Sequence, residues 1–395
     1  MTTVTTEPDA ELPTRVAAVV AGTIAPAAAT VDATGAFPRE GLAALAEAGA
    51  LGLLSAAEFG GAGGSLADVA AVVEQVAAAD GSTAMVLLMH YAATAVLEAH
   101  GPEDVRRAVA RGEHLSTLAF SEAGSRSHFW APLSSATALH PDGSADGVRL
   151  DAAKSWVTSS GEADSYVWSS RPLAAEGPMT LWLVPSGTAG VAVAGDFDGV
   201  GLRGNSSRPV RAEGAVVPSS AQLGPDGAGL DIALGTALPT FLVGNAAFSL
   251  GLMEALLTDA ATHLTSTRLE HLGSTLAEQP LTRGEYARLK LRVDGVRAFL
   301  ADTLAALGSG RADAVLRVLE VKAVAAEAAS EVADGVMKLC GGAAFRKELG
   351  VERRFRDSLA ARVMAPTTAA LHDFVGRISL GQPLFDGHDA GKADA

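Results

Sequence analysis

The chain has 395 residues, enough for two or three domains with well-buried cores, and its wealth of Ala, Val, Leu and Gly is that of a soluble globular protein. Its 45 acidic against 30 basic side chains give a net charge of −15, which repels phosphate backbones and anionic membrane surfaces; with no basic stripe to offset it, neither nucleic acid nor membrane is an expected partner. The single cysteine, Cys340, excludes an intramolecular disulfide and a cysteine-based metal site and fits a reducing cytoplasm.

The N-terminus, residues 1–11, is polar and acidic and does not read as a secretory signal. The first hundred residues carry Ala, Leu and Val at helical spacing, as in Phe37-Pro-Arg-Glu-Gly-Leu-Ala-Ala-Leu-Ala-Glu-Ala-Gly. Glu58-Phe-Gly-Gly-Ala-Gly-Gly-Ser breaks that pattern; it follows a helix, not a strand, so it reads as a turn and not as a dinucleotide fingerprint. The longest apolar run, residues 84–97, contains His90 and falls short of the roughly 20 residues a bilayer crossing takes, which predicts a buried helix.

From about Leu115 the texture changes to short apolar or alternating runs divided by Gly, Pro, Asp and Ser. These are Ser116-Thr-Leu-Ala-Phe, Gly147-Val-Arg-Leu-Asp, Ser165-Tyr-Val-Trp, Met179-Thr-Leu-Trp-Leu-Val and Gly190-Val-Ala-Val-Ala. After Pro225-Asp-Gly-Ala-Gly the helical period returns over residues 240–267, 283–307, 312–339 and 365–380, which suggests a bundle. Helices, then strands, then helices, without β-α-β alternation, argue against a doubly wound sheet. The expected class is α+β, mostly α, with a helical domain over 1–114, a β-barrel domain over 115–225 and a helical bundle over 226–395.

Six segments carry a resemblance: Glu58-Phe-Gly-Gly-Ala-Gly, Leu118-Ala-Phe-Ser-Glu-Ala-Gly-Ser, Lys154-Ser-Trp-Val-Thr-Ser-Ser-Gly, Gly201-Leu-Arg-Gly-Asn-Ser-Ser, Leu339-Cys-Gly-Gly-Ala-Ala-Phe and Val351-Glu-Arg-Arg-Phe-Arg-Asp. Their order and spacing resemble the acyl-CoA dehydrogenase superfamily, from Phe37 to Leu380. The resemblance implies an N-terminal helical domain, a central β-barrel, a C-terminal four-helix bundle and an FAD cofactor. It implies that Leu118, Phe120 and Ser121 line the flavin ring and that Trp156 and Thr158 pack beside it and meet its N5 edge. By residue type alone, Trp156 could be a barrel-core aromatic, and Ser121 or Thr158 a turn hydroxyl. Lys338, Gly341, Gly342 and Thr367 match positions at the pyrophosphate and adenosine end, which the family holds across a subunit interface; a homo-oligomer, dimer or tetramer, follows. Arg268 resembles a pyrophosphate-gripping Arg, but lies five residues before Gly273 where four is usual, and a solvated cation is an equal reading.

The pattern departs from the family at the catalytic base. Dehydrogenating an acyl thioester needs a carboxylate to take the Cα proton. Ala365 stands at the position of the usual Glu, within Met364-Ala-Pro-Thr-Thr, where no side chain can take a proton. The alternative base position falls in Thr240-Phe-Leu-Val-Gly-Asn, again without a carboxylate, and a substrate-contacting Arg of some relatives aligns with Leu242. Glu254 lies about three turns further on, where a surface charge is the plainer reading.

A flavin pocket without a base favours a different expectation: a two-component monooxygenase, resembling the indole hydroxylases of this superfamily. It would use FAD as FADH2 with molecular oxygen, be fed by a separate NAD(P)H-dependent flavin reductase, and oxidise a small aromatic, indole-type substrate in a dry pocket. Tyr91, Trp130, Phe241, Asn245, Phe248, Met364 and Ala365 would wall that pocket, with His90, Ser121 and Thr158 managing protons and His372 a weaker candidate. His90 could equally be a satisfied core histidine, and Trp130 a barrel lid. An acyl-CoA dehydrogenase with a relocated base and a non-catalytic flavin-fold binding protein are the alternatives. The nine histidines show no metal spacing, and no metal is expected.

Overall fold

A computed structural model describes residues 11–125, 128–139 and 146–385; Ser127 and the polar residues 1–10 lie outside these. The first domain contains α1 (Leu12–Val19), α2 (Ala25–Thr34), α3 (Arg39–Glu47), α4 (Leu66–Ala79), α5 (Gly81–His100) and α6 (Glu103–Ala110). Ser65 and Asp68 close a capping box at the start of α4, and the Asp80 carboxylate accepts the Thr83 amide at 2.8 Å at the start of α5. The apolar run of residues 84–97 belongs to the 20-residue α5, which is long enough to cross a membrane by length and composition but is largely buried by its own protein. The stretches Leu12–Thr34 and Gly229–Ser266 are likewise long and apolar enough to cross a membrane by length and composition alone.

The central domain is two four-stranded sheets. One has the order β1 (Ser116–Ala119), β4 (Ser165–Ser170), β5 (Thr180–Pro185), β8 (Gln222–Leu223); β1 runs parallel to β4 and the other pairs are antiparallel. The other is antiparallel, in the order β2 (Ser135–Ala138), β3 (Val148–Val157), β7 (Arg208–Val217), β6 (Val191–Val193). Trp168, Trp182, Val148, Leu150 and Val210 fill the space between them. A bridge between Glu122 and Lys154 laces the sheets along one edge.

The third domain holds α7 (Gly229–Gly235), α8 (Ala237–Ser266), a hairpin of β9 (Arg268–Leu269) and β10 (Ser274–Thr275), then α9 (Pro280–Ser309), α10 (Ala314–Cys340), α11 (Val351–Ser358), α12 (Ala360–Val363) and α13 (Thr368–Ser379). On α9 the buried positions Leu289, Val293, Val296, Leu300 and Thr303 recur at alternating steps of four and three, the stripe that seats a helix in a bundle. Gly251 lets α8 touch α4, since a Cβ there would sit 2.2 Å from the Glu74 carbonyl. The helix expected over 365–380 begins at Thr368, because Met364 is extended and Pro366 cannot continue a helical hydrogen-bond ladder.

All three domains meet at α11. Arg356 grips Asp32 with two bonds of 2.9 and 2.6 Å and donates to the Val200 carbonyl; the Asp357 carboxylate accepts the Leu202 amide at 2.6 Å; Ser82 accepts the Gly204 amide. Gly201 has no room for a side chain, as a Cβ would lie 2.5 Å from the Arg356 carbonyl. The Gly201-Leu-Arg-Gly and Arg-Phe-Arg-Asp motifs are therefore the two halves of a domain joint. Burial, helped by Asp80 and Asp32 nearby, pushes the Asp357 carboxyl up to about 7, against the pull of the Leu202 amide and Arg353.

A carboxyl that keeps its proton longer in the folded chain than its ordinary value of 3.8 makes folding less favourable as pH climbs between the two values. Asp357→Asn keeps the acceptor oxygen and removes this titration. The melting temperature of the wild type should fall relative to the variant from about pH 4 to about pH 7 and run parallel to it above; parallel curves throughout would show that Asp357 does not titrate there.

Candidate flavin shelf and its neighbours

The two motifs expected to line a flavin come together. β1 is an edge strand, paired only with β4, and its continuation lies against β3, where the Ser155 amide donates to the Ser121 carbonyl at 2.9 Å. Leu118 and Thr158 are buried and Phe120 and Ser121 partly so. Period-two alternation would put Trp156 on the same face as the buried Lys154. A left-handed backbone at Trp156, φ 56°, with a register shift between Lys154 and Val157, reverses it and sends the indole outward, 70% exposed. That conformation costs about 1–3 kcal/mol, which points to a role for the exposed aromatic held in it.

An ion pair that sequence reading did not single out fixes this shelf. Lys154 Nζ lies 2.5 Å from the Glu122 carboxylate, and both side chains are buried. The carboxylate also accepts the Leu133 and Ser134 amides, while Lys154 donates to the Ser169 carbonyl at 2.6 Å and hydroxyl at 2.9 Å. Burial draws the Lys154 ammonium down to about 8 despite Glu122, and it opposes ionisation of Glu122, yet Lys154 and the amides hold that carboxyl below its usual range. The pair is charged at neutral pH. Its signal was a lysine at an inward position of β3, in step with Val148 and Leu150.

Several expected proton-handling or pocket residues are committed elsewhere. His90 is fully buried; its Nδ1 accepts the Ser116 amide and its Nε2 faces the Leu51 carbonyl at 3.0 Å, which fixes Nε2 as the protonated nitrogen. Burial lowers it to about 4, so it is a neutral core histidine and not a proton shuttle. The Tyr91 hydroxyl donates to the Ala50 carbonyl at 2.7 Å. Trp130 is buried in an aromatic cluster with Phe129, Phe374 and Phe385, packed under the last helix. His372 sits exposed on α13, 3.6 Å from Glu327.

The dinucleotide-end candidates lie on the bundle. Gly341, in a left-handed conformation, and Gly342 have open space above them, and Phe345 beside them is 83% exposed. Lys338 pairs with Asp334 one turn back, and Arg268 donates to the Gly273 carbonyl at 2.6 Å across the β9–β10 hairpin. The Thr367 hydroxyl caps α13 through the Ala370 amide.

Around the base position, Phe241, Leu242, Asn245 and Phe248 of α8 are buried, and Asn245 Nδ2 approaches Met364 Sδ at 3.7 Å. Buried Lys322 of α10 donates to the carbonyls of Met364 and Pro366 at 3.0 and 2.8 Å, bracketing Ala365; burial draws it down to about 7. The carboxylates of α8 are taken: Glu254 by Arg297 and Asp259 by Arg354. Among the described residues no group of three or more His, Cys, Asp or Glu could hold a metal.

Comparison with known proteins decides the kinship. The acyl-CoA dehydrogenase N-terminal domain family matches residues 6–112, and the acyl-CoA dehydrogenase C-terminal domain family matches residues 227–380. The chain belongs to the acyl-CoA dehydrogenase superfamily. It is 26% identical over 351 residues to the short-chain specific acyl-CoA dehydrogenase of Bos taurus mitochondria, covering 87% of this chain and 83% of that one. It is 24% identical over 353 residues to the short-chain specific enzyme of Clostridium acetobutylicum, covering 87% and 90%. The solved butyryl-CoA dehydrogenase of Megasphaera elsdenii shares the fold with a TM-score of 0.87 at 21% identity, over 96% of this chain and 100% of that one.

FAD is the cofactor of this family, and the exposed indole of Trp156, the free edge of β1 and the open glycines at 341 and 342 fit such a dinucleotide. The expectation of an indole monooxygenase is corrected: the curated relatives are acyl-CoA dehydrogenases, short-chain and isobutyryl-CoA enzymes among them. FADH2 and oxygen as reactants lose their support, and a flavin reductase partner loses its rationale.

Lys154→Met strands a buried carboxylate and should cost about 3–5 kcal/mol in denaturant unfolding, whereas Glu122→Leu combined with Lys154→Met should recover most of that loss. A single variant as stable as the double would show that the pair does not hold the shelf.

Proposed function

We propose that this protein is an FAD-dependent oxidoreductase that oxidises short-chain acyl thioesters, with the Cα proton handled by a group other than residue 365. The observation that carries the reading is the flavin shelf, Trp156 beside the β1 edge, in a chain whose curated relatives across more than four-fifths of its length include short-chain acyl-CoA dehydrogenases. Bound FAD would supply the hydride-accepting ring.

The chain's own part is to bind, orient and keep dry. Leu118, Phe120 and Trp156 would wall the ring, and Ser121 and Thr158 would offer hydroxyls at its edge. Phe241, Phe248 and Met364 exclude water from the acyl side, which strengthens every polar contact made there. Lys322 holds the carbonyls on both sides of Ala365, so the segment keeps its place although it carries no carboxylate. Lys338, Gly341, Gly342 and Thr367 are assigned to the adenosine end. We propose at least a homodimer, supported by the exposure of Phe345, Leu272 and Leu281 on the bundle, apolar side chains that a second copy would cover.

The test is anaerobic titration of the FAD-loaded protein with short-chain acyl-CoAs, watching the flavin's visible absorption. Slow bleaching is expected; an unchanged spectrum with every chain length from acetyl to hexanoyl would defeat the proposal. Ala365→Glu should speed bleaching by butyryl-CoA by about 10²- to 10⁴-fold, the usual worth of a placed general base. An unaltered rate would mean that residue 365 does not face the reacting carbon.

A further inference from the structure

Three buried positions of α8 are polar: Thr240, whose hydroxyl is taken by the Thr236 carbonyl, and, one turn apart, Asn245 and Ser249. Both of the latter side chains are fully buried, and Asn245 Oδ1 and Ser249 Oγ have no hydrogen-bond partner among the described residues. Asn245 lies against the base position: its Nδ2 contacts the sulfur of Met364, the neighbour of Ala365. Turning the amide over would point the carbonyl oxygen at the thioether, two acceptors face to face, and leave an N–H stranded instead, so the orientation with Oδ1 free is the better one. Buried amides are almost always satisfied, so the free Asn245 oxygen calls for a partner that the protein does not supply, and its place beside the base position makes a substrate group the candidate.

We infer that Asn245 Oδ1 is a specificity element for an acyl group bearing an O–H or N–H donor near the thioester, with Ser249 as a second polar contact deeper in the wall. This rests on the acyl-thioester reading above and narrows its substrate class. For a buried acceptor on a helix whose neighbouring turns carry buried Phe241, Leu242 and Phe248, a plain alkyl chain leaves the carbonyl oxygen unpaired and cut off from water. A site built around a hydrogen bond discriminates against the analogue that lacks it far better than an apolar pocket discriminates by size.

The experiment is calorimetric binding to the FAD-loaded protein, kept anaerobic, of three ligands: butyryl-CoA, 3-hydroxybutyryl-CoA and 2-aminobutyryl-CoA. At least one donor-bearing thioester should bind about tenfold or more tightly than butyryl-CoA, and Asn245→Leu should erase that preference while leaving butyryl-CoA bound as well or better. The two substituted ligands separate an O–H from an N–H donor. Ser249→Ala, a smaller change, should reduce the preference without abolishing it. Butyryl-CoA binding as tightly as both substituted thioesters in the wild type would overturn the inference, a trapped water then satisfying Oδ1, while the thioester reading stands. If none of the three binds, the thioester reading itself fails and takes this inference with it.

Discussion

The shelf rests on one buried ion pair. Two charges taken out of water lose several kcal/mol of solvation each, and their attraction restores this only when every remaining donor and lone pair is also filled. Glu122 and Lys154 meet that condition: two amides and the Ser134 hydroxyl complete the carboxylate, and a backbone carbonyl with a serine hydroxyl completes the ammonium. Such a pair contributes geometry more than stability. It locks the continuation of β1 to β3 at one register, two residues from the point where the chain reverses its facing at Trp156. A one-residue slip would bury the indole and expel the lysine, so the flat outward surface and the buried pair are one constraint seen from its two sides.

The joint at α11 keeps that shelf in register with the helices. Arg356 and Asp357 reach back to the first domain and to the loop after β6, so the sheets cannot rotate against the bundle without breaking a bidentate bond and a buried amide bond. The cost is a carboxyl raised by burial, tolerated where rigidity is required. Architecture and chemistry are thereby separable: neither the joint nor the ion pair involves residue 365, and the fold survives an alanine where its relatives' pattern places a base.

Long periodic stretches were legible in the sequence. The helices read over 240–267, 283–307 and 312–339 match α8, α9 and α10 closely, because buried apolar faces repeat at 3.6 residues whatever lies around them. The strands β2 and β7 escaped notice; β2 is short and half exposed, and the ten-residue β7 bears arginines and a glutamate on its outer face, so neither shows an apolar run. Proton-handling roles read poorly. His90 in an apolar helix looks the same on paper whether it serves a substrate or ties a helix to a strand, and only the Leu51 and Ser116 backbone partners, 39 and 26 residues away, distinguish the two. Lys154 and Lys322 escaped for the opposite reason: each is one charge among the buried positions of its element, and its partners lie 15 or more residues away in sequence.

The segment around Ala365 shows what remains when a base is absent. Lys322, buried and without a carboxylate partner, gives its protons to the Met364 and Pro366 carbonyls and so bears a desolvation cost in order to hold a turn whose central side chain is a methyl group. Had the site merely decayed, that cost would be the easiest to shed, since an apolar residue at 322 would remove the buried amine altogether. The segment is held as firmly as one that carries a working group. What it presents to the acyl side is a small apolar surface flanked by Met364 and by the unpartnered amide of Asn245. That combination suits a substrate that brings its own polar group to the pocket, with the protein supplying an acceptor where other members of the superfamily supply a base.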